Sequence, residues 1–421
     1  MQEQTEPRRL LLAMLEAALA AVDGRRAVSA WLKQNPARQF NKVIAIGKAA
    51  PAMARGVADT VPVPDLSALV VTRTGCQRES LPASFTLLEA GHPLPDASSL
   101  AAGQRLLEFL SSCDKSDRLL FLISGGASAL VEVLPPSVSL AQLAELNRWL
   151  IGAGCAIDTI NRIRQICSCI KGGRLLEFIP GSEVTALYIS DVISNDPCVI
   201  GSGLLCAQAT VAQDALRSRL VQSGAPAWLL ALGGETAAQT ETRSATRPAH
   251  HLVATLAEAL QAASGCARAA AGQRYAVIQS PEYLAGDYDA AADRIVSTVA
   301  AGPGVYLWGG EVSVVLPAAP GSGGRNQQLA LAVALKLRQR GLEGKVCFMA
   351  VGTDGSDGNT GDAGALVDAA TLGRGSLDGL DAAQCLRRAD AGTFLQASGD
   401  LIHTGPTGTN VMDLYVALRY R

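Results

Sequence analysis

Seven short apolar runs, each closing on glycine or a polar residue and separated by segments of helical period, constrain this chain more than any other feature. They are KVIAIGK (Lys42 to Lys48), LSALVVTR (Leu66 to Arg73), RLLFLISGG (Arg118 to Gly126), VTALYISD (Val184 to Asp191), RYAVIQS (Arg274 to Ser280), GVYLWGGE (Gly304 to Glu311) and KVCFMAVGTDG (Lys345 to Gly355). Strands covered on both faces read this way, and helices between them favour an α/β fold built on parallel sheet over an all-β one. At 421 residues, with 48% hydrophobic and 18% charged content, the chain exceeds the ~250–300 residues at which single cores stop growing, so two domains are expected. The polar stretch from Gly233 to His251 is the best junction, which predicts domains over 1–235 and 236–421.

A formal net charge of −2, with no lysine or arginine block, argues against nucleic acid or anionic lipid as partner. The N-terminal segment, with Glu16 inside its apolar stretch, reads as an amphipathic helix rather than a secretory signal, and no run approaches the ~18 apolar residues of a membrane span. The ten cysteines are scattered singly without zinc spacing. They are expected to be reduced, which points to the cytoplasm.

Ligands of open parallel sheets sit outside the carboxyl ends of the strands. Those ends carry Lys48, Ser124-Gly125-Gly126, Ser190-Asp191, Glu311 and Asp354. Lys48 can reach a phosphoryl oxygen as a point charge, although a surface lysine would look the same. SGGASAL misses the nucleophile-elbow pattern, and its glycines with Ser124 and Ser128 suit a backbone nest for an anion. Asn161, Arg164 and Lys171 lie on a segment whose basic face either gathers anionic groups or is simply solvated. Asp191 and Asp196 are hard oxygen ligands suited to Mg²⁺, or one of them accepts a hydroxyl proton; turn and cap duty is the other reading, favoured for Asp196. The stretch GSGGRNQQLA places Arg325 behind a glycine-rich turn at the start of a helix, where an anion is the simplest partner. His92 lies in a turn where substrate contact and packing are equally credible. His250 and His251 read as structural, and none of the four histidines is a clear base.

In order along the chain, IGKAA, EAGHPLPD, SGGASAL, NRIRQ with KGGRL, SDV, GGEVSV, GGRNQQLAL, GTDGSDG and TGPTGTNVMDL resemble the glycerate 2-kinases, whose C-terminal half is the MOFRL domain. The resemblance runs from about Leu10 to Tyr415. It implies a Rossmann-like N-terminal domain, a second, smaller α/β domain whose last residues can pack back on the first, and an inter-domain cleft. It also implies transfer of the ATP γ-phosphoryl group to the 2-hydroxyl of D-glycerate or a related hydroxy acid, with Mg²⁺, by a monomer or small homo-oligomer. Lys48, Arg325 and Asp191 fall on the family's catalytic positions. Ser124, Gly125, Gly126, Ser128, Asn161, Arg164, Lys171, Glu311, Asn326 and Asp354 are the expected substrate and phosphate contacts, and Asp191 with Asp196 the expected metal ligands. The family continues after SDV with Pro-Gly-Asp-Asp-Pro where this chain has Ile193-Ser194-Asn195-Asp196-Pro197, which bears on metal binding and substrate choice. Two other classes stay open: an NAD(P)H-dependent hydroxypyruvate reductase, which should show GxGxxG after a strand and does not, and a non-catalytic metabolite-binding relative.

Overall fold

A computed structural model describes residues 6–62, 64, 66–76, 80–152, 157–206, 220–221, 224–235, 246–271 and 274–420. The chain divides into one unit spanning Gly24–Val253 and another made of Met1–Asp23 together with Ala254–Arg421. The division therefore falls after residue 253 rather than 235, and residues 236–245 of the expected junction lie outside the described residues.

In the unit Gly24–Val253, strands β1 (Lys42–Ile46), β2 (Ser67–Arg73), β3 (Phe85–Ala90), β4 (Arg118–Ile123), β5 (Glu183–Ile189) and β6 (Ala249–Ala254) form one sheet in the order β3-β2-β1-β4-β5-β6. β1 runs parallel to β2 and β4, with Ile46 opposite Val71 on one side and Ile123 on the other. β2 with β3 and β4 with β5 are parallel as well. This is the doubly wound order of dinucleotide-binding sheets, with its reversal between β1 and β4. Val43 through Ile46 and Leu119 through Leu122 have no exposed surface, the burial on both faces that made these runs legible. β3 sits at the sheet edge with four of its six residues partly or fully exposed, and its pattern is correspondingly weak.

The other unit carries a second sheet, ordered β12-β11-β10-β13-β9-β7, from β7 (Val277–Gln279), β9 (Gly304–Ser313), β10 (Val346–Gly352), β11 (Gly364–Val367), β12 (Leu401–Ile402) and β13 (Asp413–Arg419). β8 (Leu284–Asp287) pairs with β9 off this path. This sheet is mixed: β10 is antiparallel to β11 and β13, and β13 to β9, while β7 and β8 run parallel to β9. An apolar run records burial on both faces, not the direction of its neighbour. The last described residues form β13, a central strand of this sheet.

The amphipathic N-terminal segment forms the helix Glu6–Ala21, which packs on the helix Leu256–Ala271 through Leu11, Met14, Leu15 and Ala18. Arg8 fixes its register by donating to Asp368 at 2.7 Å and to Asp400 at 2.8 Å, and Arg374 also pairs with both carboxylates. Asp400 is buried, so losing a charged partner is costly. Arg8→Ala should destabilise this unit by ~1.5–3 kcal/mol, seen as a lower urea midpoint with unchanged slope. An unchanged midpoint would show that the first helix contributes nothing through this contact.

Candidate active site

At the carboxyl ends of β1 and β4 the chain locks two turns together. Gly47, at φ +137°, leaves no room for a side chain against Ser124. The Lys48 N–H donates to Gly125 O at 2.9 Å and the Ala49 N–H to Ser124 Oγ at 3.1 Å. Ser124 is thus buried, and its Oγ holds the Lys48 turn. Gly126 has φ +88° and opens the short helix Ala127–Leu130 without a side-chain cap. A Cβ there would lie 3.0 Å from the His92 ring and 3.4 Å from Lys48 Cγ. Residues from the ends of β1, β3 and β4 therefore converge at the reversal of strand order: Lys48, His92 and the Gly125-Gly126 backbone. The His92 ring thus lies beside Gly126.

Beside it, Ser128 Oγ lies 2.8 Å from Ser202 Oγ, which in turn reaches Asn161 Oδ1 at 3.2 Å. Ser202 has φ +60° between Gly201 and Gly203, both also left-handed, and Gln165 Nε2 and the Gly172 N–H both donate to its carbonyl. Asn161, on the helix Ile157–Ile166, is buried and joined to this loop. Lys171 is fully buried and ion-paired with Glu132, whose other oxygen accepts the Val133 N–H at 3.0 Å. Its charge is paired inside the protein. Arg164 lines a small pocket with Pro93, Pro95, Ser128, Glu132, Asn147 and Lys171.

Asp191 lies two residues past the end of β5 and is half-buried. Asp196 takes the turn role: its Oδ1 accepts the Cys198 N–H at 2.8 Å and its carbonyl accepts from Val199 and Ile200. Among the described residues no three His, Cys, Asp or Glu side chains gather as a metal site. Cys198 and Cys206, with Cα atoms 4.8 Å apart, form a disulfide, against the expectation of reduced thiols throughout. The left-handed residues between them fold the segment back on itself, which their spacing in sequence does not reveal. Seven other described cysteines are free. His250 is structural as expected, its Nδ1 lying 3.0 Å from the Tyr188 hydroxyl, and His251 packs on Trp31.

In the second unit, the helix Arg325–Gln339 begins after Gly324, which provides no side-chain cap. An anion does sit at its first turn, but the chain supplies it: Asp357 accepts the N–H of Asn326 at 3.1 Å and of Gln327 at 2.9 Å. Burial pushes the Asp357 carboxyl up to about 7, against the pull of those two donors. The Asn326 side chain also donates to Asp357, at 3.3 Å, so Asn326 is buried structure rather than a surface contact. Arg325 spends its fork on the buried Asp413, through Nε at 2.6 Å and a terminal nitrogen at 3.0 Å. Its remaining nitrogen pairs at 2.7 Å with Glu311, which is about half exposed. Burial alone would lower the Arg325 pKa, but Asp413 and Glu311 outweigh it and hold the group above its ordinary value. The expected bidentate ligand of Arg325 is thus an internal carboxylate. Asp354, half-buried after β10, accepts the Ser356 N–H at 2.9 Å as a turn residue. Asp357 and Asp413 both lie in motifs legible in the sequence, GTDGSDG and TGPTGTNVMDL, but only the fold brings them to Arg325 and the helix it opens.

Residues 10–222 match a family described as a domain of unknown function (DUF4147), and residues 304–413 match the MOFRL family. A D-glycerate 2-kinase of Thermotoga maritima is 32% identical over 98% of both chains. A protein of Agrobacterium vitis that carries the provisional name hydroxypyruvate reductase is 36% identical over 89% of this chain and 98% of its own. The crystal structure of a glycerate kinase from Thermotoga maritima superposes with a TM-score of 0.80 at 31% identity, covering 98% of this chain and 99% of that one. Relatives of this similarity over nearly the whole length, on the same doubly wound sheet, make the chain a member of the glycerate kinase family.

Proposed function

We propose that this protein is a phosphotransferase that moves the γ-phosphoryl group of ATP to the 2-hydroxyl of D-glycerate, giving 2-phosphoglycerate. The observation that carries this reading is Lys48, placed at the β1/β4 reversal beside His92 and the Gly125-Gly126 turn. Phosphoryl transfer needs positioning and neutralisation of phosphoryl oxygens more than covalent help from the protein. Lys48 supplies the point charge, and the glycine backbone allows a phosphate to approach. Asp191, at the end of β5, is the group suited to orient the substrate hydroxyl and take its proton. Mg²⁺ would supply neutralisation of phosphoryl charge there. One or two carboxylates with nucleotide oxygens suffice to hold it. Asp191 and Asp196 are the carboxylates proposed for that duty, and Asp196 Oδ1 also accepts the Cys198 N–H. ATP as donor fits a cytoplasmic setting.

The reductase reading is weaker on the same geometry. In a sheet of this order a nicotinamide dinucleotide needs GxGxxG in the turn after β1, and that turn reads Gly47-Lys48-Ala49-Ala50-Pro51-Ala52. It offers one glycine and a cation.

The decisive assay couples the product to enolase without phosphoglycerate mutase. Signal dependent on ATP and D-glycerate is expected; a strict requirement for mutase would move the reaction to the 3-hydroxyl, and NADH oxidation with hydroxypyruvate instead of ADP release would make the protein a reductase. Lys48→Ala should lower kcat by roughly 10²-fold or more, since one electrostatic stabiliser is worth ~2.7–4 kcal/mol, while the urea midpoint stays near wild type. Unchanged kcat would leave Lys48 a surface lysine. Arg325→Lys keeps the charge but loses the fork on Asp413. It should lower the urea midpoint, and kcat/KM should fall below about a tenth of wild type if the Arg325 nitrogen facing Glu311 exchanges that partner for an anionic oxygen, a charge-assisted contact worth ~1.5–3 kcal/mol. A lower midpoint with near-normal kcat/KM would confine Arg325 to bracing the second unit.

A further inference from the structure

The cations around the first unit's site are not equivalent. Lys171 is neutralised by Glu132, and Arg174 donates to the Ser168 carbonyl at 3.1 Å. Arg162 donates to Gln165 Oε1 at 3.2 Å. Arg164 differs from all three: it is half-buried, and among the described residues no acceptor takes a hydrogen bond from it and no carboxylate lies within ion-pair distance. Glu132 is the nearest opposing charge felt by Arg164, but both its oxygens are already taken, by Lys171 and by the Val133 N–H. Arg164, Lys171 and Glu132 together hold one positive charge more than they neutralise. Burial accordingly pulls the Arg164 pKa down, with Glu132 opposing. A guanidinium carries five donors in a fixed fork, and leaving it partly desolvated without a partner is costly.

The position of the pocket says what that partner is for. Ser128, two residues beyond Gly126, lines it, as do Pro93 and Pro95 just after His92. Arg164 therefore flanks the turn that holds Lys48 and His92. Asn161, one helical turn earlier, is tied through Ser202 to the same Ser128. The Asn147 amide adds a donor already anchored to the Leu143 carbonyl at 2.9 Å. Planar, charge-matched, two-point recognition beside a phosphoryl-transfer centre suits the carboxylate of a hydroxy acid, for which the guanidinium fork is the complementary shape.

We propose that Arg164 binds the carboxylate of the acceptor substrate and so restricts the enzyme to small 2-hydroxy acids over neutral polyols. This rests on the kinase reading above, and adds which residue recognises the acid. The lysine at Arg164→Lys preserves charge but not the fork. At saturating ATP, the KM for D-glycerate should rise at least tenfold in this variant, while the KM for ATP stays within about twofold and kcat changes less than the acceptor KM. Glycerol, which lacks the carboxylate, should be a far poorer acceptor than D-glycerate for wild type, and that preference should narrow in the variant. An unchanged acceptor KM, or an equal rise for ATP, would overturn the assignment, the latter by moving Arg164 to the nucleotide phosphates. If wild type turns over no D-glycerate, the kinase reading fails by itself. Calorimetric titration of both proteins with D-glycerate, glycolate and lactate then decides the Arg164 assignment: a tenfold or greater loss of affinity in the variant supports it, and equal affinity, or no binding of any of the three acids to wild type, refutes it. Should Arg164→Lys fail to fold, Arg164→Gln read by the same titration takes its place, with the same outcomes.

Discussion

The organisation of the first unit follows from one constraint: a parallel sheet wound outward in both directions from β1 and β4. Chain leaving β1 turns toward one flank and chain leaving β4 toward the other, the arrangement that in such sheets opens a crevice outside the carboxyl ends. That crevice is where the sequence spends its polar residues. The locked turn of Gly47 and Ser124 keeps the backbone there close-packed, and it aims Lys48 without calling on any regular element beyond the two strands. Buried apolar strands provide the rigidity, and a handful of residues just past their ends provide the chemistry.

Internal charge compensation is the second theme. In three places where sequence suggests a cation waiting for a ligand, the fold supplies its own anion: Asp413 for Arg325, Asp357 for the start of the helix that Arg325 opens, and Glu132 for Lys171. Each arrangement makes sense physically, because a buried charge without a partner destabilises the fold far more than a solvated one. It also sharpens the search for ligand contacts. Arg164, to which no described residue supplies an anion, is the cation this criterion singles out.

Much of this was legible in the sequence, and the failures have a common cause. Central strands were readable because burial on both faces writes a continuous apolar run, as in Val43 to Ile46. Strand ends were readable as sites because glycine and hydroxyl residues interrupt those runs. Edge and short strands such as β3, β8 and β12 carry no such mark, and the antiparallel pairing of β10 with β13 leaves none either. Long-range partners were invisible: nothing near Arg325 announces Asp413, which lies 88 positions away, and nothing near Lys171 announces Glu132. Sequence finds the groups that carry charge; the fold decides which of them stay available.

The helix Glu6–Ala21 belongs to a unit whose remaining residues begin only at Ala254. The unit Gly24–Val253 is therefore inserted within its neighbour. During synthesis the first helix leaves the ribosome first and meets its packing partner last, after the whole inserted unit has been made, while domains generally fold as they emerge. Until then its apolar face, with Leu11 and Met14, has no native surface to cover it. The order of the genetic message and the order of assembly thus run in opposite directions for this one segment, and the inserted unit has time to complete its parallel sheet before the second sheet closes.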